Sequence, residues 1–229
     1  MHCLICHDHL SNKMSWTSLL LSSKKPICDT CTESLSKITG PTCPSCSRPQ
    51  VTTTLCLDCM KWNDHPVWKQ QLDKNISIYS YTDFMKEVLA AFKFRGDAEL
   101  VTIFHKEFMD MYQRRYEKEK LDYAVPIPLS MERLYDRGFN QSQLLANCLP
   151  LPQVDILKRI HLEKQSKKTR QQRIAAENMF SIKDPALIRD KKVLLVDDLY
   201  TTGTTLRHAA KVLNENGAKL VFSLTLIRS

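Results

Sequence analysis

Eight of the nine cysteines in this 229-residue chain fall before residue 60. They form four Cys-x-x-Cys pairs: Cys3/Cys6, Cys28/Cys31, Cys43/Cys46 and Cys56/Cys59. A pair at this spacing grips one edge of a metal ion from a tight knuckle, and two pairs complete a tetrahedral thiolate site for zinc. Two zinc ions are therefore expected. A segment so poor in long apolar runs needs the metal in order to fold. A redox role would suit any single pair but does not explain all of them, and disulfides do not suit the cytoplasmic setting argued below. Two pairing schemes are open. Sequential pairing joins Cys3/Cys6 to Cys28/Cys31 and Cys43/Cys46 to Cys56/Cys59, and loop-closure entropy favours it. A cross-braced scheme would join the first pair to the third. With eight thiolates available, His2, His7 and His9 are read as surface residues.

The second constraint lies near the other end. Val193 to Val196 is an apolar run without alternation, the pattern of a strand buried on both faces of a parallel sheet. Asp197 and Asp198 come directly off its carboxyl end, where open α/β sheets place ligands, and can accept hydrogen bonds from vicinal hydroxyls. Thr201, Thr202, Gly203, Thr204 and Thr205 follow, just before an amphipathic helix over Leu206 to Asn214. Amides and hydroxyls at a helix N-terminus receive a phosphate dianion. An acidic pair beside a phosphate loop suits ribose 5-phosphate. A Walker nucleotide site is excluded, because none of the five glycines is followed by lysine. The stretch resembles the 5-phosphoribosyl-1-pyrophosphate (PRPP) motif of type I phosphoribosyltransferases. That resemblance assigns the ribose hydroxyls to Asp197 and Asp198 and the 5′-phosphate to Thr201 through Thr205.

Between these ends, Ile76 to Tyr81 alternates as a strand, and Asp83 to Phe94 carries a helical apolar stripe ending in Lys93-Phe-Arg-Gly-Asp97. A further helix is expected from Ala98 to about Lys118. Tyr123 to Pro128 reads as a second buried strand, followed by Leu129, Ser130, Arg133 and Arg137. Arginines beyond a strand's carboxyl end can meet a pyrophosphate bidentately. A helix from Ser142 to Cys148 follows, with Cys148 on its core face. Ile156 to Arg173 is the most basic segment, with Lys158, Arg159, Lys164, Lys167, Lys168, Arg170 and Arg173. Leu220 to Ile227 is the last strand.

A strand ending Val-Pro-x-Pro-Leu, then Arg-x-x-x-Arg-Gly-Phe-Asn-Gln, the upstream Lys-Phe-Arg-Gly, the Gln-Ser-Lys-x-Thr stretch from Gln165 and the four N-terminal pairs together resemble the late-competence ComF family, specifically its ComFC-type members. The resemblance implies an α/β, phosphoribosyltransferase-like, mostly parallel sheet with flanking helices, preceded by a double zinc ribbon. Residues 1–62 would form the ribbon and 63–229 the second domain. It implies a role in natural transformation, handling incoming single-stranded DNA beside a competence DNA helicase. It also implies a PRPP-type ligand with Mg²⁺, and places the segment around Gln165 as a hood over that ligand. The alternative is an active phosphoribosyltransferase with an unknown acceptor. No nucleobase pocket is legible, so catalysis is left open.

Composition fits that setting. The chain is 43% hydrophobic and 25% charged, as folded soluble proteins are. No apolar run is long enough for a membrane span, and the N-terminus lacks the order of a secretory signal. A cytoplasmic location at the periphery of the DNA-uptake machinery is expected. The net charge of +8 suits a polyanionic partner. Lys24, Lys25, Lys37, Arg48, Lys61, Trp16 and Trp62 give the ribbon charge and aromatic faces for contacting single strands.

Overall fold

The computed structural model describes residues 2–10, 26–94, 97–160 and 179–229. The ribbon residues Trp16, Lys24 and Lys25 and the basic residues Lys164, Lys167, Lys168, Arg170 and Arg173 lie outside that set.

Four strands form one parallel sheet: β1 (Lys74–Ser80), β2 (Tyr123–Pro126), β5 (Lys192–Tyr200) and β6 (Leu220–Arg228), in the order β1-β6-β5-β2. Its helices are α3 (Asp83–Phe94), α4 (Val101–Arg115), α5 (Met131–Arg137), α6 (Gln141–Ala146) and α7 (Thr204–Glu215). A separate antiparallel pair, β3 (Leu157–Arg159) and β4 (Phe180–Ile182), brackets the segment expected to be the hood. No described helix is long and apolar enough to cross a membrane.

The unbroken apolar run in β5 is explained by cores on both sheet faces. Leu194 and Val196 join a core with Met85 and Phe92 of α3 and Phe104 and Phe108 of α4. Val193 and Leu195 join the other, with Leu206, Ala209 and Leu213 of α7. Alternate residues of a strand face opposite ways, so each face needs an apolar set.

The strand extends further than its apolar run suggests. Asp197 and Asp198 lie inside β5, not beyond it, because pairing with β6 continues through Asp197–Thr225 to Tyr200–Arg228. On the other side, β2 ends at the Pro126–Val196 pair. The Ile127 amide makes one last bond to the Val196 carbonyl at 2.9 Å, and past it no described strand pairs with β5 on that flank. The acids stand in this notch.

The cysteine-rich segment does not hang off the sheet as a separate bead. Its helices are α1 (Asp29–Ser34) and α2 (Leu57–Asp64). Cys3, Ile27, Cys31 and Leu35 belong to the core on one face, and Cys43, Cys46, Cys56 and Cys59 to the core on the other. Between them the chain runs along β1, the sheet edge. Lys37 bridges Tyr79, the Ile38 amide donates to the Ile78 carbonyl at 2.8 Å, and the Asn75 amide donates to the Ser45 carbonyl at 2.8 Å. The ribbon thereby covers the open edge of the sheet. The boundary expected at residue 62 falls inside a helix, since α2 runs across it.

Candidate functional site

Each cysteine quartet is built from the same parts. A knuckle at Cys3–Cys6 is repeated at Cys43–Cys46, each closed by a bond of 3.0 Å, from the His7 amide to the Cys3 carbonyl and from the Ser47 amide to the Cys43 carbonyl. Cys28 and Cys56 then cap α1 and α2, which carry Cys31 and Cys59 on their first turns. The ribbon is thus a structural repeat, its second copy opening at the Thr42–Pro49 bridge as the first does at His2–His9, and the sequence hides it because only the cysteines are shared. The sulfurs gather as Cys3, Cys6, Cys28 and Cys31 and as Cys43, Cys46, Cys56 and Cys59, within 4.8 Å of one another in each group. This is the sequential pairing.

Each group could hold a metal ion. Cys6 and Cys28 sulfurs are 3.8 Å apart, and those of Cys46 and Cys56 are 3.6 Å apart. A tetrahedron of zinc–sulfur bonds of about 2.3 Å has edges of about 3.8 Å, so the donor set and its spacing fit zinc. In the second group Cys46 is pulled well below the ordinary thiol range by a hydrogen bond with Cys59 and by the Arg228 guanidinium beside it. Thiolate character is what a metal ligand needs. His2, His7 and His9 are exposed and belong to neither group.

At the other site, Asp197 accepts hydrogen bonds on Oδ1 from Ser142 Oγ at 2.9 Å and from the Asp198 amide at 3.0 Å. Asp198 pairs with Lys93 Nζ at 2.6 Å. Burial, together with the charge of Asp198, raises the Asp197 carboxyl to about 7. A carboxylate with a second one beside it is held back from ionising by the like charge as well as by its loss of solvent.

The loop after β5 turns sharply at Gly203, whose φ is +83°. A Cβ there would stand 2.2 Å from Tyr200 Oη, so only glycine fits on conformational and on steric grounds. Gly203 is also the N-cap of α7 and supplies no side-chain cap. The Thr204 amide makes a long bond of 3.5 Å to Thr202 Oγ1, whose hydroxyl pairs with that of Thr204 at 2.8 Å, and the next amides of this twelve-residue helix have no side-chain cap and can meet a ligand.

Arginines approach from the other side of the notch. Ser130 caps α5 by accepting from the Arg133 amide at 3.3 Å, so its hydroxyl orients the helix that carries Arg133 and Arg137. Leu129 precedes it on the half-buried exit from β2. Arg137 donates to Gln141 Oε1 at 3.0 Å; burial lowers its pKa, while Asp198 and Asp197 oppose that. Arg159 of β3 is lowered by burial and by repulsion from Arg133, with Asp197 attracting it. Arg159 belongs by sequence to the basic segment, and the fold also brings it within electrostatic reach of Asp197. Its neighbour Lys158 is exposed. Lys93 and Ser142 were not among the candidate residues. The Lys-Phe-Arg-Gly stretch was visible, but nothing local to it says that α3 ends facing β5.

The phosphoribosyl transferase domain family model matches residues 135–229. Competence protein ComFC of Bacillus subtilis is 44% identical over 99% of this chain and 95% of its own length. Competence protein ComFC of Streptococcus pneumoniae is 33% identical over 100% of both chains. DNA utilization protein YhgH of Escherichia coli is 26% identical over 89% of this chain and 90% of its own.

Proposed function

Because the chain belongs to the ComF family of competence proteins, in its ComFC branch, we propose that it serves natural transformation by handling incoming single-stranded DNA in the cytoplasm, with a PRPP-type site at the end of β5. One observation carries the ligand reading: a carboxylate pair, a helix N-terminus without a side-chain cap and a set of arginines meet in the notch where β5 outruns β2. Asp197 and Asp198 accept the ribose hydroxyls. The amides and hydroxyls from Thr201 to Thr205 take the 5′-phosphate, and Arg133 and Arg137 the pyrophosphate. Mg²⁺ would enter with the ligand, whose phosphate oxygens and the acidic pair are the hard donors it prefers. Zinc in the two thiolate groups is structural on this reading.

The DNA reading draws on the relatives' names, on the charge of +8 and on the basic segment that begins with Lys158 and Arg159. A DNA helicase is the partner it implies. The competing reading, transfer of ribose 5-phosphate to an acceptor, is favoured by Asp197, which can hold or release a proton near neutral pH.

PRPP with Mg²⁺ is expected to raise the melting temperature, since a ligand that binds only the native state stabilises it. The double variant Asp197→Asn, Asp198→Ala should fold and show no such rise; a full response in the variant would place the ligand elsewhere. Mg²⁺-dependent release of pyrophosphate in the presence of a base or nucleic acid would decide for the transferase.

A further inference from the structure

Arg228 is 2% exposed and joins the second cysteine group to the phosphate loop. It donates through Nε to the Cys46 carbonyl at 3.2 Å and through Nη2 to Cys46 Sγ at 3.4 Å. Through Nη1 it donates to the Tyr200 carbonyl at 3.3 Å and the Thr201 carbonyl at 2.8 Å, and it stacks on the Tyr200 ring at 4.8 Å. A guanidinium so deeply buried requires a negative partner, and no carboxylate pairs with it among the described residues. A loaded group, four thiolates on one divalent ion, carries a net double negative charge at that spot.

Trp62 makes the second link. Its Nε1–H donates to the Thr202 carbonyl at 2.8 Å. The ring sits on α2, the helix that Cys56 caps and on which Cys59 lies, so the cysteine group sets its position. Arg207 of α7 lies over the ring at 5.1 Å, and Trp68 meets it edge-on at 6.0 Å. Trp68 in turn packs on His208 of α7 at 4.4 Å.

The consequence follows from peptide geometry. In a trans peptide the C=O and the following N–H point in opposite directions. Holding the carbonyls of Thr201 and Thr202 toward the ribbon therefore aims the amides of Thr202 and Gly203 away from it. Neither amide donates a hydrogen bond among the described residues.

We propose that the second ribbon is a working part of the phosphate site: Trp62 and Arg228 position the Thr201–Thr205 loop, so metal loading of the Cys43/Cys46/Cys56/Cys59 group and binding of a sugar 5-phosphate favour one another. This rests on the reading of that loop as a phosphate receptor. Trp62 and Arg228 are positioning residues, behind the loop and out of contact with the ligand.

The test uses the full zinc-loaded chain. Trp62→Phe keeps the ring and removes the donor. Calorimetry should show ribose 5-phosphate binding weakened about fivefold to tenfold, the worth of one hydrogen bond, with zinc content unchanged. Binding of inorganic pyrophosphate, assigned to the arginine side, should not change; a general loss of structure would weaken both. Equal ribose 5-phosphate affinity in the variant would overturn the proposal. If the wild type itself fails to bind ribose 5-phosphate, the reading of the loop falls instead. A second arm needs no variant. Cys6 is exposed and Cys28 half-buried, whereas the second group is buried throughout, so a chelator should strip zinc in two phases. Coupling of affinities is reciprocal, so saturating ribose 5-phosphate should raise severalfold the chelator concentration that empties the second group at equilibrium. An affinity of that group for zinc indifferent to the ligand would contradict the coupling.

Discussion

Burial and the charge of Asp198 raise the Asp197 carboxyl from the ordinary 3.8 to about 7. A folded pKa above the unfolded one means that the folded state binds the proton more tightly. The stabilisation from this group is therefore complete below about pH 4 and is lost as pH rises through about 7. Asparagine at 197 cannot ionise, yet its oxygen can still accept from Ser142 and from the Asp198 amide. The variant Asp197→Asn should melt on the order of 5 °C above wild type at pH 8, with the gap closing toward pH 5. A constant gap across that range would mean that another group titrates. Gly203 gives the opposite case. Alanine there must adopt a left-handed φ and displace the Tyr200 ring, so Gly203→Ala should cost about 3 kcal/mol in urea unfolding and remove phosphate binding. Truncating Tyr200 to phenylalanine should not restore it, because the ring carbon Cζ lies only 2.5 Å from the added Cβ.

Elements with a periodic signal were legible from residues alone. The stripe of α3, the amphipathic α7 and the apolar runs of β2 and β5 all stand where the pattern placed them. The reach of β5 through Asp197 and Asp198 was not legible, because its partner there is the polar-containing end of β6, a long-range fact absent from any local window. The edge contacts of residues 36–38 with β1 were equally hidden, since Ser36-Lys-Ile38 carries no strand pattern and pairs only because β1 is exposed there. Asn75 on that edge ties the pieces together. Its Oδ1 accepts from Ser223 at 2.8 Å, and its Nδ2 donates to Ser77 Oγ at 2.8 Å and toward the Cys46 carbonyl at 3.4 Å. Asn75→Leu removes these bonds and strands the buried Ser223 hydroxyl, and should lower stability by about 2 kcal/mol in urea. An unchanged midpoint would show that water can replace the amide.

Across the whole molecule, the ribbon contributes to both cores and covers a sheet edge. Removing residues 1–62 should therefore leave an aggregating fragment instead of a folded ligand domain, which sedimentation would show at once; a monodisperse 63–229 would contradict this packing. Tests of DNA binding accordingly belong to the full chain. Affinity for single strands should fall with salt at a log–log slope of about 3–4, matching roughly 4–6 phosphates at about 0.7 each. Changing Lys164, Lys167, Lys168 and Arg170 to glutamine should flatten that slope without loss of zinc. An unchanged slope would confine the basic segment to the ligand site. What occupies the notch beside β5 decides the function, and a crystal structure of the protein with PRPP and Mg²⁺ tests this most directly. It should show the ribose hydroxyls on Asp197 and Asp198 and the 5′-phosphate on the amides after Thr201. Density for PRPP at any other surface, with the notch filled only by solvent, would contradict it.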